Sequence, residues 1–331
     1  MDIHKKFTYA VVKDEQGKQF TEDKLSNTLE EFAEFLSQFK PEETSIVIES
    51  SSVWEHIYTL LESLEYKKIK LANPLKVKAI AHAKIKNDKV DANMLADLLR
   101  ANLIPESYVP PAETRRLREF TRSRKMIVKQ ATQVMNRIHA HFTRRGITMP
   151  RRTFCKEVVA FVKEHAENDA VLGYYVAVLE SLRAQLGAID TKMRAMAQEN
   201  ENAKLLMTIP GIGAIRAMSI IAEIDTIRRF PSEKHFSSYA GLVPTIRQSG
   251  STLHVGRISL QASMQLKHAL VQAALTAAHM KRANVLQDCY RKLAVIKGKQ
   301  KALVAAARKL SSIAYAMLWN KREFSYSYSS R

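Results

Sequence analysis

Cysteine is nearly absent: Cys155 and Cys289 are the only two in 331 residues, and neither has a ligand-spaced partner. That excludes a disulfide framework and argues against a cysteine-built zinc site, so both read as ordinary reduced thiols. No apolar run approaches the roughly eighteen residues of a membrane-spanning helix, and the first residues carry no signal-peptide pattern. Acidic residues are in deficit, 33 Asp and Glu against 52 Lys and Arg, a formal net charge of +19. Such an excess says nothing about fold but favours a polyanion. With no membrane segment, the expected partner is nucleic acid, the expected setting the cytoplasm.

The length suffices for two or three domains with a buried core. The basic excess is uneven: the first fifty residues hold eleven Asp and Glu against six Lys and Arg. Here Ile3 to Val12 reads as a strand, Asp14 to Gly17 as a hairpin turn and Lys18 to Phe20 as its return. Leu25 to Phe39 reads as a helix with Leu29, Phe32, Phe35 and Leu36 on one face. Ser45 to Ile48 reads as a buried strand ending at Glu49, followed by a helix from Val53 to Tyr66 and a strand from Lys68 to Ala72. Asn73-Pro74 closes that strand, and helices follow through Arg100. The alternation predicts an α/β domain over 1–110, bounded by Ile104-Pro105 and Val109-Pro110-Pro111.

Beyond the prolines the chain turns mostly helical and basic. Residues 111–165 hold fourteen Lys and Arg against four Asp and Glu. A charge run is ordinarily a solvated helix face, but so large a single-sign surplus gains little from intrahelical pairing. Arg115, Arg116, Arg118, Arg122, Arg124, Lys125, Arg137, Arg144 and Arg145 are therefore candidate nucleic-acid contacts. Thr153 to Lys204 reads as a second long helical stretch, with Leu172, Val176, Leu179, Leu182, Leu186, Ile189 and Met193 near heptad spacing. Two long helices joined by a short connection predict an antiparallel coiled coil over 111–204, folded on itself or paired with another subunit.

Region 205–331 opens with Ile209-Pro-Gly-Ile-Gly213 leading into a helix. A glycine turn at a helix N-terminus exposes N–H groups suited to phosphate, as in a helix-hairpin-helix element; a tight αα-turn is the plainer reading. Gly211, Gly213 and Arg216 join the candidate nucleic-acid contacts. Tyr239 to Pro244 leads into a polar loop, Thr245 to Thr252, that carries Arg247 and Ser249; helical pattern resumes from Leu260 to His279 and along the basic tail from Lys281 to Arg322.

Asp88 and Asp91 stand three apart where a helix begins, so they share a face. The bland account is a helix start, with Asp88 as N-cap and both charges suiting the dipole. The alternative is half of a cation site. Neighbouring strands can bring Asp2 and Glu49 together, and a helix crossing the sheet edge can bring Asp88 and Asp91 opposite them. Four such carboxylates would repel one another unless divalent cations neutralised them, and an all-oxygen set favours magnesium over zinc.

Asp2-Ile-His-Lys5, Ile48-Glu-Ser50, Asn73-Pro74, Asn87-Asp-Lys-Val-Asp-Ala92, Tyr108-Val-Pro110, Ile209-Pro-Gly-Ile-Gly213, Tyr239-Ala-Gly-Leu-Val-Pro244 and Ser249-Gly250 occur in that order. In this order and spacing the chain resembles the insertion-sequence-110 family of DEDD transposases, which includes the pilin-gene invertase and bridge-RNA-guided recombinases. The resemblance implies a RuvC-like (ribonuclease-H-like) domain over 1–110 with Asp2, Glu49, Asp88 and Asp91 holding Mg²⁺, two ions by the usual chemistry of such sites. It implies a coiled-coil linker and then a transposase domain. Ser249 matches the serine that attacks a DNA phosphate; Ser251 and Ser259 are its rivals in the sequence.

It further implies a homodimer or homotetramer in which the acidic site and the serine meet across subunits. Donor and target DNA would be chosen by a noncoding bridge RNA, in a prokaryotic, nucleoid-associated setting. The chain departs from the family pattern in Gly256 to Lys267, where relatives often carry a basic residue near Leu260, glycine near Ala262 and arginine near Lys267. Other readings of the same residues are a Mg²⁺-dependent structure-selective nuclease, akin to a junction resolvase, and a non-catalytic nucleic-acid-binding protein.

Overall fold

A computed structural model describes residues 1–81, 87–151, 155–249, 252–258 and 262–325, with backbone alone at 156, 246–249, 252–255, 257 and 258. The chain divides into two compact units, Met1–Pro110 and Pro111–Arg331. It is a mixed α/β protein, mostly helical, with thirteen α-helices and small sheets among the described residues.

In the first unit, β1 (Asp2–Ile3), β2 (Phe7–Lys13) and β3 (Gln19–Ser26) form an antiparallel sheet in the order β1-β2-β3. The single strand expected over Ile3 to Val12 is thus two strands. The chain reverses at His4–Lys6, where His4 N–H donates to the Phe7 carbonyl at 2.9 Å. The reversal leaves Lys5 and Lys6 exposed while Asp2 and Ile3 stay buried, an arrangement that one continuous strand would not allow. Asp14 to Gly17 makes the expected turn, with Gly17 at φ +88°.

β4 (Ile46–Glu49) and β5 (Ile69–Ala72) pair in parallel, Glu49 opposite Ala72. The Met1 nitrogen donates to the Val47 carbonyl at 3.0 Å, which sets the β1 edge of the three-stranded sheet beside β4 of this two-stranded one. Packed on these strands are α1 (Leu29–Leu36), α2 (Trp54–Ser63), α3 (Pro74–Ile80) and α4 (Asp88–Arg100). The helix expected from Leu25 begins only at Leu29, because Thr28 caps it by accepting from Glu31 N–H while the Glu31 carboxylate accepts from Ser26 N–H. Leu25 is instead a buried residue of β3. Phe32, Ile48, Ile57 and Leu61 are fully buried at the centre of this unit.

The second unit starts with α5 (Ala112–Arg144), α6 (Lys156–Ala166), α7 (Ala170–Glu199) and α8 (Glu201–Met207). The long helix expected over 153–204 is broken twice, where Asp169 caps α7 and Asn200 caps α8 with side-chain oxygens. α5 and α7 run antiparallel within the chain, since Arg124 pairs with Asp190 and, further along α5, His141 with Asp169. Ile138, Phe142, Val158, Leu172 and Leu179 fill the space between α5, α6 and α7.

α9 (Ala214–Ile224) and a 3-10 turn at Ile227–Arg229 precede α10 (Glu233–Tyr239), then the hairpin β6 (Pro244–Ser249) and β7 (Thr252–Ile258), then α11 (Met264–Ala278), α12 (Val285–Lys297) and α13 (Lys299–Asn320). Small residues let α11 and α13 approach closely: Ala269, Ala273, Ala274 and Ala277 on one, Ala306, Ala307 and Ala314 on the other, all in one core with Leu206, Ile220 and Phe236.

Candidate functional site

Two ion pairs hold α4 over the antiparallel sheet: Lys89 on α4 reaches Glu22 on β3, and Asp97 receives Lys13 of β2 at 2.8 Å. The helix begins at Asn87 rather than Asp88. The Asn87 side chain accepts from Val90 N–H at 2.8 Å, because the cap residue takes extended backbone geometry while Asp88 is already helical. This corrects the capping role expected for Asp88. Neither Asp88 nor Asp91 is the capping residue, and both carboxylates lie in the first turn.

Asp2 meets them from the sheet. It is buried, 7 % exposed, between β2 and the neighbouring β4. His4, just past the end of β1, sets Nε2 3.2 Å from Asp2 Oδ2 and 3.2 Å from Asp88 Oδ1. Asp2, His4 and Asp88 each offer a ligand atom within 4.8 Å of the others. Burial pushes the Asp2 carboxyl above the ordinary range; His4 pulls it down and the charges of Asp91 and Asp88 push it further up. Glu49 stands half-buried at the carboxyl end of β4, and both its charge and that of Asp2 act on the Met1 nitrogen.

The fold therefore gathers Asp2 and Asp88 at ligand distance, with Asp91 three residues on in the same first turn and Glu49 at the neighbouring strand end. These donors fit a divalent cation: they are mostly hard carboxylate oxygens, and their mutual repulsion is of the kind that a cation relieves. His4 was not singled out in the sequence. The signal was there, since residues two apart along an extended segment project to one side, and His4 is two residues from Asp2.

Ser249 ends β6 and pairs with Thr252, the outermost pair of the hairpin ladder. The polar loop expected over 245–252 is thus largely strand: Thr245, Ile246 and Thr252 are β-branched, and β7 supplies Leu253, Val255 and Ile258 opposite. The side chains of Ser249 and Arg247 lie outside the described portion, as do Ser251 and Ser259 altogether.

The basic residues of α5 separate into two groups. Arg118 donates to the carbonyls of Ala222 and Glu223 at 2.7 and 2.8 Å, closing the C-terminal end of α9. Arg122 makes a bidentate pair with the buried Glu223, Arg124 pairs with Asp190, and Arg145 with Asp169 at 3.2 Å. The pairing that the helix itself cannot supply comes from other helices. Arg116, Arg137 and Arg144 are exposed, and Arg115 is half-buried.

In the glycine turn the two glycines differ. Gly211 has φ +89°, and a β-carbon there would stand 2.3 Å from the Ala273 carbonyl oxygen. It is glycine because the turn rests on α11. Gly213 faces open space and precedes α9, which no side chain caps. Arg216 folds back to donate to the Gly211 carbonyl at 3.0 Å.

Two family models match this chain: a transposase model named for the DEDD enzymes of insertion sequence 110 over residues 1–145, and a model described as the transposase IS116/IS110/IS902 family over residues 203–291. Together they take in well over half of the chain. The chain is 25% identical over 248 residues to the transposase for insertion sequence element IS1111A of Coxiella burnetii, covering 72% of this chain and 68% of that one. It is 27% identical over 216 residues to the IS1328 transposase of Yersinia enterocolitica, covering 62% of this chain and 63%, just under two thirds, of its relative. A pilin gene-inverting protein of Moraxella bovis is 25% identical over 284 residues, 84% of this chain and 81% of that one.

Proposed function

Because the chain belongs to the IS116/IS110/IS902 transposase family, we propose that it cuts and rejoins DNA strands through Ser249, with Asp2, Glu49, Asp88 and Asp91 holding Mg²⁺, and with a noncoding bridge RNA choosing donor and target. The observation that carries this reading is the meeting of Asp2, on a central strand, with Asp88 in the first turn of α4, His4 between them. An antiparallel sheet β1-β2-β3 with the parallel pair β4-β5 beside its β1 edge supports a RuvC-like domain. The regions 1–110, 111–204 and 205–331 would then serve as acidic domain, coiled-coil linker and serine-bearing domain with a helix-hairpin-helix-like turn.

In the proposed step the Ser249 hydroxyl oxygen forms a bond to phosphorus, a phosphorus–oxygen bond of the DNA backbone breaks, the serine proton passes to a base and the departing sugar oxygen takes up a proton. Rejoining is the reverse, with a sugar hydroxyl displacing serine. Bound Mg²⁺ would supply charge neutralisation at the phosphate oxygens and acidify a coordinated hydroxyl. Asp2, held in the sheet, and Asp88 and Asp91, held by Asn87, orient the donors. Sequence choice by RNA leaves the protein to grip backbone phosphates, in keeping with its net charge of +19. The acidic site and Ser249 would come from different subunits of a homodimer or homotetramer.

Protein, RNA transcribed from sequence flanking the gene, Mg²⁺ and both DNA partners are incubated, and protein–DNA adducts resolved under denaturing conditions. An adduct that vanishes in Ser249→Ala and in Asp88→Asn is expected. An adduct that survives Ser249→Ala overturns the serine assignment, and cleavage without any adduct favours a metal-dependent nuclease.

A further inference from the structure

Between α5, α7, α9 and α11 lies a cavity of about 680 Å³. Its wall combines Lys125 of α5, Arg194 of α7, Arg216 of α9 and His268 of α11 with the uncapped start of α9 at Gly213 and Ala214. The other charged side chains on the wall are neutralised in place: Arg122 is paired with Glu223, and Arg124 with Asp190. Lys125 donates to the neutral amide oxygen of Gln265 at 2.7 Å and Arg216 to a carbonyl, while Arg194 has no hydrogen-bond or ion-pair partner among the described residues. Three cations thus converge, none of them in an ion pair among the described residues; the one carboxylate on the wall, Glu223, acts on Lys125 by its charge but is itself paired with Arg122.

Burial and neighbouring positive charge act on two of these side chains in the same sense. Partial burial, then the charges of Lys125 and Arg216, push the His268 imidazole below its ordinary value. Burial, then the Arg124 charge, pushes the Arg216 guanidinium down as well. An anion among these groups would relieve both.

We propose that this pocket binds a phosphate group of a single nucleic-acid strand together with its adjoining nucleoside, gripped by Lys125, Arg194 and Arg216 and by the N–H groups at the start of α9. The cavity is several times larger than a phosphate and is in the usual range for a small-molecule site, ~300–1,000 Å³. Val128, Ile215 and Ala269 give it an apolar wall for a sugar or base. Filling that volume with a nucleoside as well as a phosphate takes a nucleotide turned out of the duplex stack, which a single strand supplies without unpairing. The basic helix and the glycine turn, separate devices in the sequence, become one site here. The inference takes only the class of polyanion from the transposase reading; neither Ser249 nor the carboxylates take part.

The test is equilibrium binding of a fluorescent single-stranded oligonucleotide, with and without a 5′-phosphate, and of the matching duplex. It uses full-length Ser249→Ala protein without Mg²⁺, so that failure of the proposed chemistry cannot affect the outcome. Lys125→Gln and Arg194→Gln are each expected to weaken single-strand binding at least tenfold, and excess inorganic phosphate to compete in the parent protein. Lys281→Gln, which removes an exposed charge elsewhere, is expected to change it less than twofold. Unchanged melting temperatures show that the variants fold. Losses equal with and without the 5′-phosphate assign an internal phosphodiester to the pocket; losses confined to the phosphorylated strand assign a terminal monoester. Losses no larger than that of Lys281→Gln, or equal losses for duplex and single strand, overturn the proposal.

Discussion

Gly211 approaches Ala273 so closely that any β-carbon at 211 would overlap the carbonyl oxygen, at 2.3 Å, of a helix sixty residues further along the chain. Its φ of +89° adds a second requirement for glycine. Gly211→Ala is expected to destabilise the protein by about 2–4 kcal/mol, the sum of a left-handed alanine and overpacking. Gly213→Ala, with open space around it, should cost under about 1 kcal/mol, the difference between glycine and alanine as a cap. Urea unfolding of the two variants checks the contrast; equal losses would mean that the turn does not rest on α11 as described.

Glu223 and Arg122 form an unequal pair, the carboxylate side chain 2 % exposed and the guanidinium 49 %. Removing Arg122 strands a buried charge, so Arg122→Ala is expected to cost on the order of 3 kcal/mol. Glu223→Gln keeps the shape and an acceptor for Ser263, which donates to Glu223 at 3.0 Å, and frees Arg122 to turn to water. Its cost should be about 1 kcal/mol. Denaturant midpoints in the reverse order would contradict this account.

Asp169 caps α7 through Leu172 N–H and also faces His141 at 2.8 Å and Arg145 at 3.2 Å. The Leu172 hydrogen bond first, then those partners, hold its carboxyl below the ordinary carboxylate value. A depressed carboxylate stabilises the fold above the unfolded-state pKa, and that stability is lost as pH falls through the folded-state value. Melting temperatures followed from pH 7 to pH 3 should fall less steeply for Asp169→Asn, which keeps the cap oxygen but has no proton to gain. Parallel curves would remove Asp169 from the acid response.

Capping and the proposed metal binding fall to different residues of α4. Asn87→Ala is expected to cost about 1 kcal/mol in stability through the lost cap. Asp88→Asn, at a half-buried position that makes no cap, should leave stability within about 0.5 kcal/mol while abolishing Mn²⁺ or Mg²⁺ binding measured by calorimetry. Chelation should stop adduct formation in the parent protein, and added Mg²⁺ should restore it there but not in Asp88→Asn. Metal affinity retained in Asp88→Asn would return that residue to the plain role of a helix start.

The local elements were largely legible. Ile46 to Glu49 and Ile69 to Ala72 are apolar runs of strand length, and α1 shows its face at Phe32, Phe35 and Leu36. Their limits were less so, because Thr28, Asn87, Asp169 and Asn200 act as caps through hydrogen bonds that resemble any other polar residue in a sequence. His4 escaped notice because its two carboxylate partners come from positions 2 and 88, and one of those is distant in the chain.

By itself the sequence determined composition-level properties and family: the +19 charge, the lack of a spanning run, and the ordered motifs that carry the transposase resemblance. Those need no contacts, since charge is additive and motifs are read along the chain. Only the tertiary structure decided which arginines serve the fold, as Arg118 and Arg122 do on α9, and which cations are left to face a common cavity. The reason is that a charge finds or lacks its counter-charge across helices more than sixty residues apart, a fact of packing that no local pattern records.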